Sequence, residues 1–135
     1  VTIGSTGNAT DFGDLTVARQ YVGGLASATR GVTSAGELSN GNTSDVMDYI
    51  TIGSTGNATD FGDLTAATKN TAGAASATRG IRAGGTNTNG SGSTRTIDYI
   101  TIASVGNAQD FGDLSSSSNN DNLSGAASST PSSQP

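Results

Sequence analysis

The sequence predicts an all-β chain of tandem four-stranded antiparallel repeats, each about 49 residues long, and three observations predict it. First, the stretch Asp48-Tyr49-Ile50-Thr51-Ile52-Gly53, running on through Asn57 to Asp60-Phe61-Gly62-Asp63-Leu64-Thr65, occurs nearly three times. Aligning Ile3, Ile52 and Ile102 gives steps of 49 and 50 residues, and self-similarity at such a period marks an architecture in which each unit is one supersecondary module. Second, the chain is poor in core-forming side chains: hydrophobic residues make up 32%, aromatics 4%, there is no Trp, and Gly reaches 20 residues. Ordering costs about 1–2 kcal/mol of backbone entropy per residue, so thin modules of this kind are expected to draw stability from neighbours of their own type. Third, short runs of Val, Ile, Thr, Tyr and Phe alternate with clusters of Gly, Asn and Ser, the pattern of strands and turns.

The elements follow in order. Residues 1–4 carry the end of a strand whose full form is 46–53, and the chain opens on Val1 as a processed chain or a piece of a longer array would. Gly4, Gly7 and Asn8 provide the positive φ values of a tight turn. Residues 11–16 are expected as a short strand anchored by Phe12 and Leu15, with Gly13 marking a bulge or a close backbone approach. Residues 21–28 form a strand of small residues, where Gly23-Gly24 lets another sheet come near. Thr29-Arg30-Gly31 is expected to turn the chain into strand 32–36, and a polar loop returns it to strand 46–52. That strand has Val46, Asp48, Ile50 and Ile52 on one face and Met47, Tyr49 and Thr51 on the other. Apolar residues on both faces predict a sheet covered on both sides.

The second unit repeats these events at 60–65, 71–77, the turn Thr78-Arg79-Gly80, 81–85 and 96–102. The third gives 110–114, so repeats occupy residues 1–114 as about three units, the first incomplete. A Ser/Asn-rich tail, 115–135, follows, with an echo of the small-residue strand at 122–130. Four strands per unit is the number in a propeller blade, and rings typically close with roughly four to eight blades. The array is therefore expected to be open or completed by oligomerisation.

Ile50, Ile52, Phe61, Leu64, Ile100, Ile102, Phe111 and Leu114 are the expected core. Asn8, Asp11 and Asp14, with their copies Asn57, Asp60 and Asp63, bring oxygens at regular spacing and are candidate Ca²⁺ ligands. The competing reading has the Asn holding a turn while the Asp residues cap backbone N–H groups or pair with Arg30 and Arg79. Asn8, Asn42, Asn57, Asn89 and Asn122 fit the glycosylation pattern Asn-x-Ser/Thr. Asp48 and Asp98 sit beside Tyr49 and Tyr99, and a partly buried carboxylate can act as an acid or base. Their recurrence with the scaffold points instead to a structural role.

No catalytic residue and no cofactor is predicted. The chain has no His, which excludes a Ser-His-Asp triad and leaves the Asp-Phe-Gly triplets without a kinase context. It has no Cys, which excludes disulfides and thiolate metal sites. No Gly-Lys-Ser/Thr follows its glycine clusters, so it carries no phosphate loop. The net charge of −5 comes mainly from repeated Asp, and 6 scattered Lys and Arg make no basic patch, so nucleic acid is not an expected partner. No apolar run approaches the roughly 20 residues that a membrane span needs.

Arg30-Gly31-Val32, Arg79-Gly80-Ile81 with Gly84-Gly85, and Ile97-Asp98-Tyr99-Ile100-Thr101-Ile102 with Gly106-Asn107-Ala108 and Asp110-Phe111-Gly112-Asp113-Leu114 carry a resemblance. The chain resembles the kelch-like repeats of marine bacteriophages, especially cyanophage-type tail-fibre and other virion structural proteins. It departs from them at Ser34-Ala35-Gly36, where a Gly-Gly pair is the pattern, and in lacking the blade Trp. The resemblance implies a non-enzymatic structural or adhesive role in a virion or extracellular assembly, as a fibre, tail or decoration component. Self-association or other virion proteins would be its partners. A lectin-like propeller module binding cell-surface glycan is the alternative, for which Tyr21, Tyr49, Tyr99 and three Phe are the available aromatic platforms.

Overall fold

The computed structural model describes residues 4, 6–87 and 92–115. Eight strands follow one another: β1 (Gly23–Ala26), β2 (Arg30–Ser34), β3 (Ser44–Thr51), β4 (Thr59–Thr68), β5 (Ala72–Ala75), β6 (Arg79–Ala83), β7 (Thr96–Thr101) and β8 (Gln109–Asp113). They form two four-stranded antiparallel meanders, β1-β2-β3-β4 and β5-β6-β7-β8. Among the described residues there is no helix, and the two sheets do not close on each other.

Local chemistry sets the turns. The Ser27 hydroxyl accepts the Arg30 N–H (3.2 Å) while the Ser27 N–H donates to the Arg30 carbonyl (2.9 Å). Ser76 does the same for Arg79 (3.1 and 2.8 Å). Each hairpin therefore closes on its Ser. Arg30 and Arg79 open strands β2 and β6, whereas the sequence pattern places them in the turn. After β2 the chain reverses through Ala35 (φ 62°) and Gly36 (φ 119°), and after β6 through Gly84 (φ 64°) and Gly85 (φ 100°). Ala35 thus adopts the left-handed turn of its glycine counterpart, at a cost of about 1–2 kcal/mol.

The Asp-Phe-Gly triplet builds a bulge. Met47 pairs with Gly62 and Asp48 with Asp60, leaving Phe61 as the extra residue. In the second sheet Ile97 pairs with Gly112 and Asp98 with Asp110, leaving Phe111. The Asp60 and Asp110 carboxylates accept the N–H of Gly62 and Gly112 (3.1 and 3.0 Å), which holds the kink.

Residues 11–16 differ from expectation. They have the sequence of 60–65 but form no strand, because among the described residues no β3-like neighbour lies beside them to complete a ladder. The echo at 122–130 lies outside the described residues.

The core lies between the sheets and consists of Val32, Ala35, Met47, Phe61, Leu64, Ile100, Ile102 and Ala108. Of the expected core residues, Phe61, Leu64, Ile100 and Ile102 are buried there, and Ile50 and Leu114 are half-buried. Ile52 and Phe111 correct the expectation, at 44% and 57% exposed. Each is the counterpart of a buried residue, and each lies on a face that no other sheet covers among the described residues. The expectation of sheets covered on both sides therefore holds for one face of each only.

Candidate assembly interface

The two sheets meet because small residues let their first strands approach. A Cβ on Gly73 would lie 2.4 Å from the Gly24 carbonyl oxygen, and one on Gly23 would lie 2.5 Å from Thr71 Oγ1. Leu25 fills the space that Gly80 leaves, since a Cβ there would sit 2.7 Å from its Cδ1. Leu25, Val32, Met47 and Leu64 face Gly80, Ile100 and Ala108 across a residual void of about 10 Å³. Burial of Val, Leu, Ile, Phe or Met side chains contributes roughly 1.5–3 kcal/mol each, and here it holds one unit to the next.

Backbone groups stitch the outer edge. Gly106 N–H donates to the Phe61 carbonyl (2.7 Å), Ala108 N–H to the Asp63 carbonyl (2.8 Å), and Asp63 N–H to Asn107 Oδ1 (3.1 Å). Gly62 has to lack a side chain, because a Cβ would lie 2.6 Å from the Gly106 carbonyl. The same stitch recurs one unit earlier. Gly56 N–H donates to Phe12 O (2.8 Å), Ala58 N–H to Asp14 O (2.8 Å), and Asp14 N–H to Asn57 Oδ1 (3.0 Å). Residues 12–14 therefore stand where the outer strand of a preceding unit would stand. Above the stitch, the Arg30 guanidinium lies 4.2 Å from the Tyr49 ring centroid and donates to the Ile102 carbonyl (2.7 Å).

Beneath the stitch each unit buries one carboxylate. Asp48 and Asp98 are 0% and 1% exposed. The hydroxyls of Thr16 and Thr65 donate to them from equivalent positions. Their cations come from different places. Asp48 pairs with Arg19, which reaches in from the segment before β1 and also donates to the Val46 carbonyl. Asp98 makes a close ionic contact with Arg82 of its own sheet (2.7 Å), without the alignment of a hydrogen bond. Arg19 corresponds to Thr68 and Arg82 to Thr33, so each unit has one Arg and one Thr in exchanged positions. Burial pushes the Arg82 guanidinium below its ordinary pKa, and the Asp98 carboxylate offsets part of that. At the rim, hydrogen bonds from Lys69 and then Gln20 hold the Glu37 carboxyl below the usual carboxylate value.

Both outer faces of the pair are unfinished. Behind the first sheet lies a groove of about 560 Å³, lined by Phe12, Leu15, Gly31, Thr33, Asp48, Ile50 and Ala58 among others. Leu15, Gly31, Thr33, Asp48, Ile50 and Ala58 are the counterparts of Leu64, Gly80, Arg82, Asp98, Ile100 and Ala108, which line the filled void between the sheets. In front of the second sheet, Phe111 is 57% exposed, and a Cβ on Gly112 would meet nothing within 4 Å. Arg79 lies 4.7 Å from the Tyr99 ring centroid, as Arg30 lies on Tyr49.

The other candidate residues fall as follows. Among the described residues no three acidic side chains converge. Asp11 and Asp60 accept the N–H groups of Gly13 and Gly62, Asp14 and Asp63 donate theirs to Asn57 and Asn107, and Asn8 is exposed. These groups serve the bulge and the stitch. Asn42 is exposed and Asn57 is engaged through its Oδ1, while Asn89 and Asn122 lie outside the described residues. Sequence reasoning missed Arg19, Arg82 and Leu25. The Arg–Thr exchange between aligned units was the signal for the first two, and Leu25 opposite a recurring Gly for the third. Neither protein-family models nor curated proteins match this chain.

Proposed function

We propose that this chain is a non-enzymatic structural protein that works by self-association of β units, as a fibre, tail or decoration component of a phage virion or another extracellular assembly. The single observation behind this reading is the repeated join, complete between the two sheets and half-built on both outer faces. Buried polar groups favour it too. Asp48 and Asp98 are sealed in ion pairs that tie the segment before β1 to β3 and β6 to β7, which suits cohesion rather than turnover. The sequence resemblance to kelch-like virion repeats points the same way, and close approach of glycine-bearing first strands is what packing of propeller blades requires.

Sedimentation velocity with electron microscopy tests the reading. Discrete rings or filaments should grow with concentration through the micromolar range, and a monomer throughout would overturn it. One observation favours the glycan-binding alternative: a cleft of about 350 Å³ lined by Arg79, Tyr99, Asn107 and Gln109. Arg79 already covers the Tyr99 face that a sugar would stack on, so this reading has less support. Glycan-array binding that Tyr99→Ala abolishes would reverse that order.

A further inference from the structure

The two unfinished faces are the halves of one join. The front of the second sheet presents Ile81 and Ile97 at the positions of Val32 and Met47, which fill the join between the sheets. The groove behind the first sheet presents Gly31, Ile50 and Ala58 at the positions of the residues that receive them. Ile52 is 44% exposed where its counterpart Ile102 is 1% exposed under Arg30. Arg79, set on Tyr99 like Arg30 on Tyr49, has a guanidinium with no hydrogen-bond partner among the described residues. What Arg79 lacks is a carbonyl placed like that of Ile102, and the Ile52 carbonyl has that place on the other face.

One obstacle decides how the faces can meet. Residues 10–14 already occupy the outer-strand position behind the first sheet, and β8 occupies the same position on the second. The two segments share the sequence Asp-Phe-Gly-Asp-Leu, at 11–15 and 110–114. Either can therefore satisfy β7. Exchange of such near-identical segments between copies costs little, since the ladder β7 loses is the ladder it regains.

We propose that copies of this chain join head to tail by strand exchange. Strands β5–β7 of one copy seat in the groove of the next, whose residues 10–14 replace β8 beside β7. Tyr99 then pairs with Thr10, Asp98 with Asp11 and Ile97 with Gly13, matching the pairing of Tyr49, Asp48 and Met47 with Thr59, Asp60 and Gly62. A join between unlike faces propagates into a ring or an open filament. With two sheets per copy, about two to four copies give the roughly four to eight sheets with which propellers close. This rests on the self-association reading and assigns its surface and polarity.

The test uses the whole chain with Arg79→Glu, which spoils only the front face, and Ile52→Glu, which spoils only the back. Both residues are exposed in the single chain, and an unchanged circular dichroism spectrum checks the fold. Each variant alone should assemble at least tenfold more weakly than the parent chain. A mixture should give a one-to-one heterodimer, because each keeps one sound face. Hydrogen exchange on the parent assembly should show amides of 10–14 gaining protection and those of 109–113 losing it. An assembly indifferent to both substitutions, a mixture that stays monomeric, or unchanged exchange at 10–14 would overturn the strand exchange while leaving self-association standing. A parent chain monomeric at every concentration would overturn both.

Discussion

Phe61 and Phe111 sit in the same words, Asp-Phe-Gly-Asp-Leu, in the same bulge, each edge-on to a Tyr ring about 6 Å away (6.0 and 6.1 Å). One is 2% exposed and the other 57%. The difference is the Gly106–Ala108 loop, which lies on Phe61 and has no counterpart over Phe111 among the described residues. In this molecule local sequence sets backbone shape, and the next unit decides what that shape buries.

The two phenylalanines offer the largest test of that lesson. Phe61→Ala should cost about 3–5 kcal/mol, and Phe111→Ala under about 1 kcal/mol, as read from denaturant midpoints. Equal costs would mean that Phe111 is covered in solution. The buried ion pairs come next. Arg82→Thr leaves Asp98 sealed without its cation and should cost about 3 kcal/mol or more. Adding Thr68→Arg, which copies the Arg19 arrangement, should restore part of it, and a double variant no better than the single would break the equivalence of the two units. The glycines sharpen the comparison further. Gly13, Gly62 and Gly112 share positive φ values of 143°, 129° and 137°, so backbone strain from alanine is common to all three. Only the first two face a neighbour's carbonyl, and Gly62→Ala should exceed Gly112→Ala by about 1–3 kcal/mol.

The smallest effect concerns pH. The Glu37 carboxyl has a folded-state pKa below its unfolded value, so its contribution is present above the unfolded value and is lost as pH falls through the folded one. Between about pH 6 and about pH 3, melting temperature should fall less steeply in Lys69→Met than in the parent chain. Parallel curves would remove Lys69 as the cause.

Much of this was legible in the sequence. Register across units came from Ile3, Ile52 and Ile102, and the four-strand count and the closeness at Gly23-Gly24 came from composition and spacing, although 60–65, expected to open the second unit, instead lies in β4, the last strand of the first sheet. The exposure of Ile52 and Phe111 was not legible, because each repeats a residue that is buried elsewhere, and copy number alone does not say which faces are covered. The state of residues 11–16 was hidden for the same reason: a strand exists only beside a partner. The hairpin turns were misplaced by one or two positions because Gly31 and Gly80 are turn residues by habit. Here they make room in the sheet instead, Gly80 for Leu25.

The exchanged arginines bear on how such arrays change length. A unit with its cation on its own second strand, as Arg82 is for Asp98, is a portable cassette. It can be duplicated or inserted without asking anything of what precedes it. A unit built like the first one depends on an Arg delivered from upstream, as Arg19 is for Asp48. Copied behind a segment ending in Thr, it would carry an orphaned negative charge into its interior, so growth by duplication should favour the second kind.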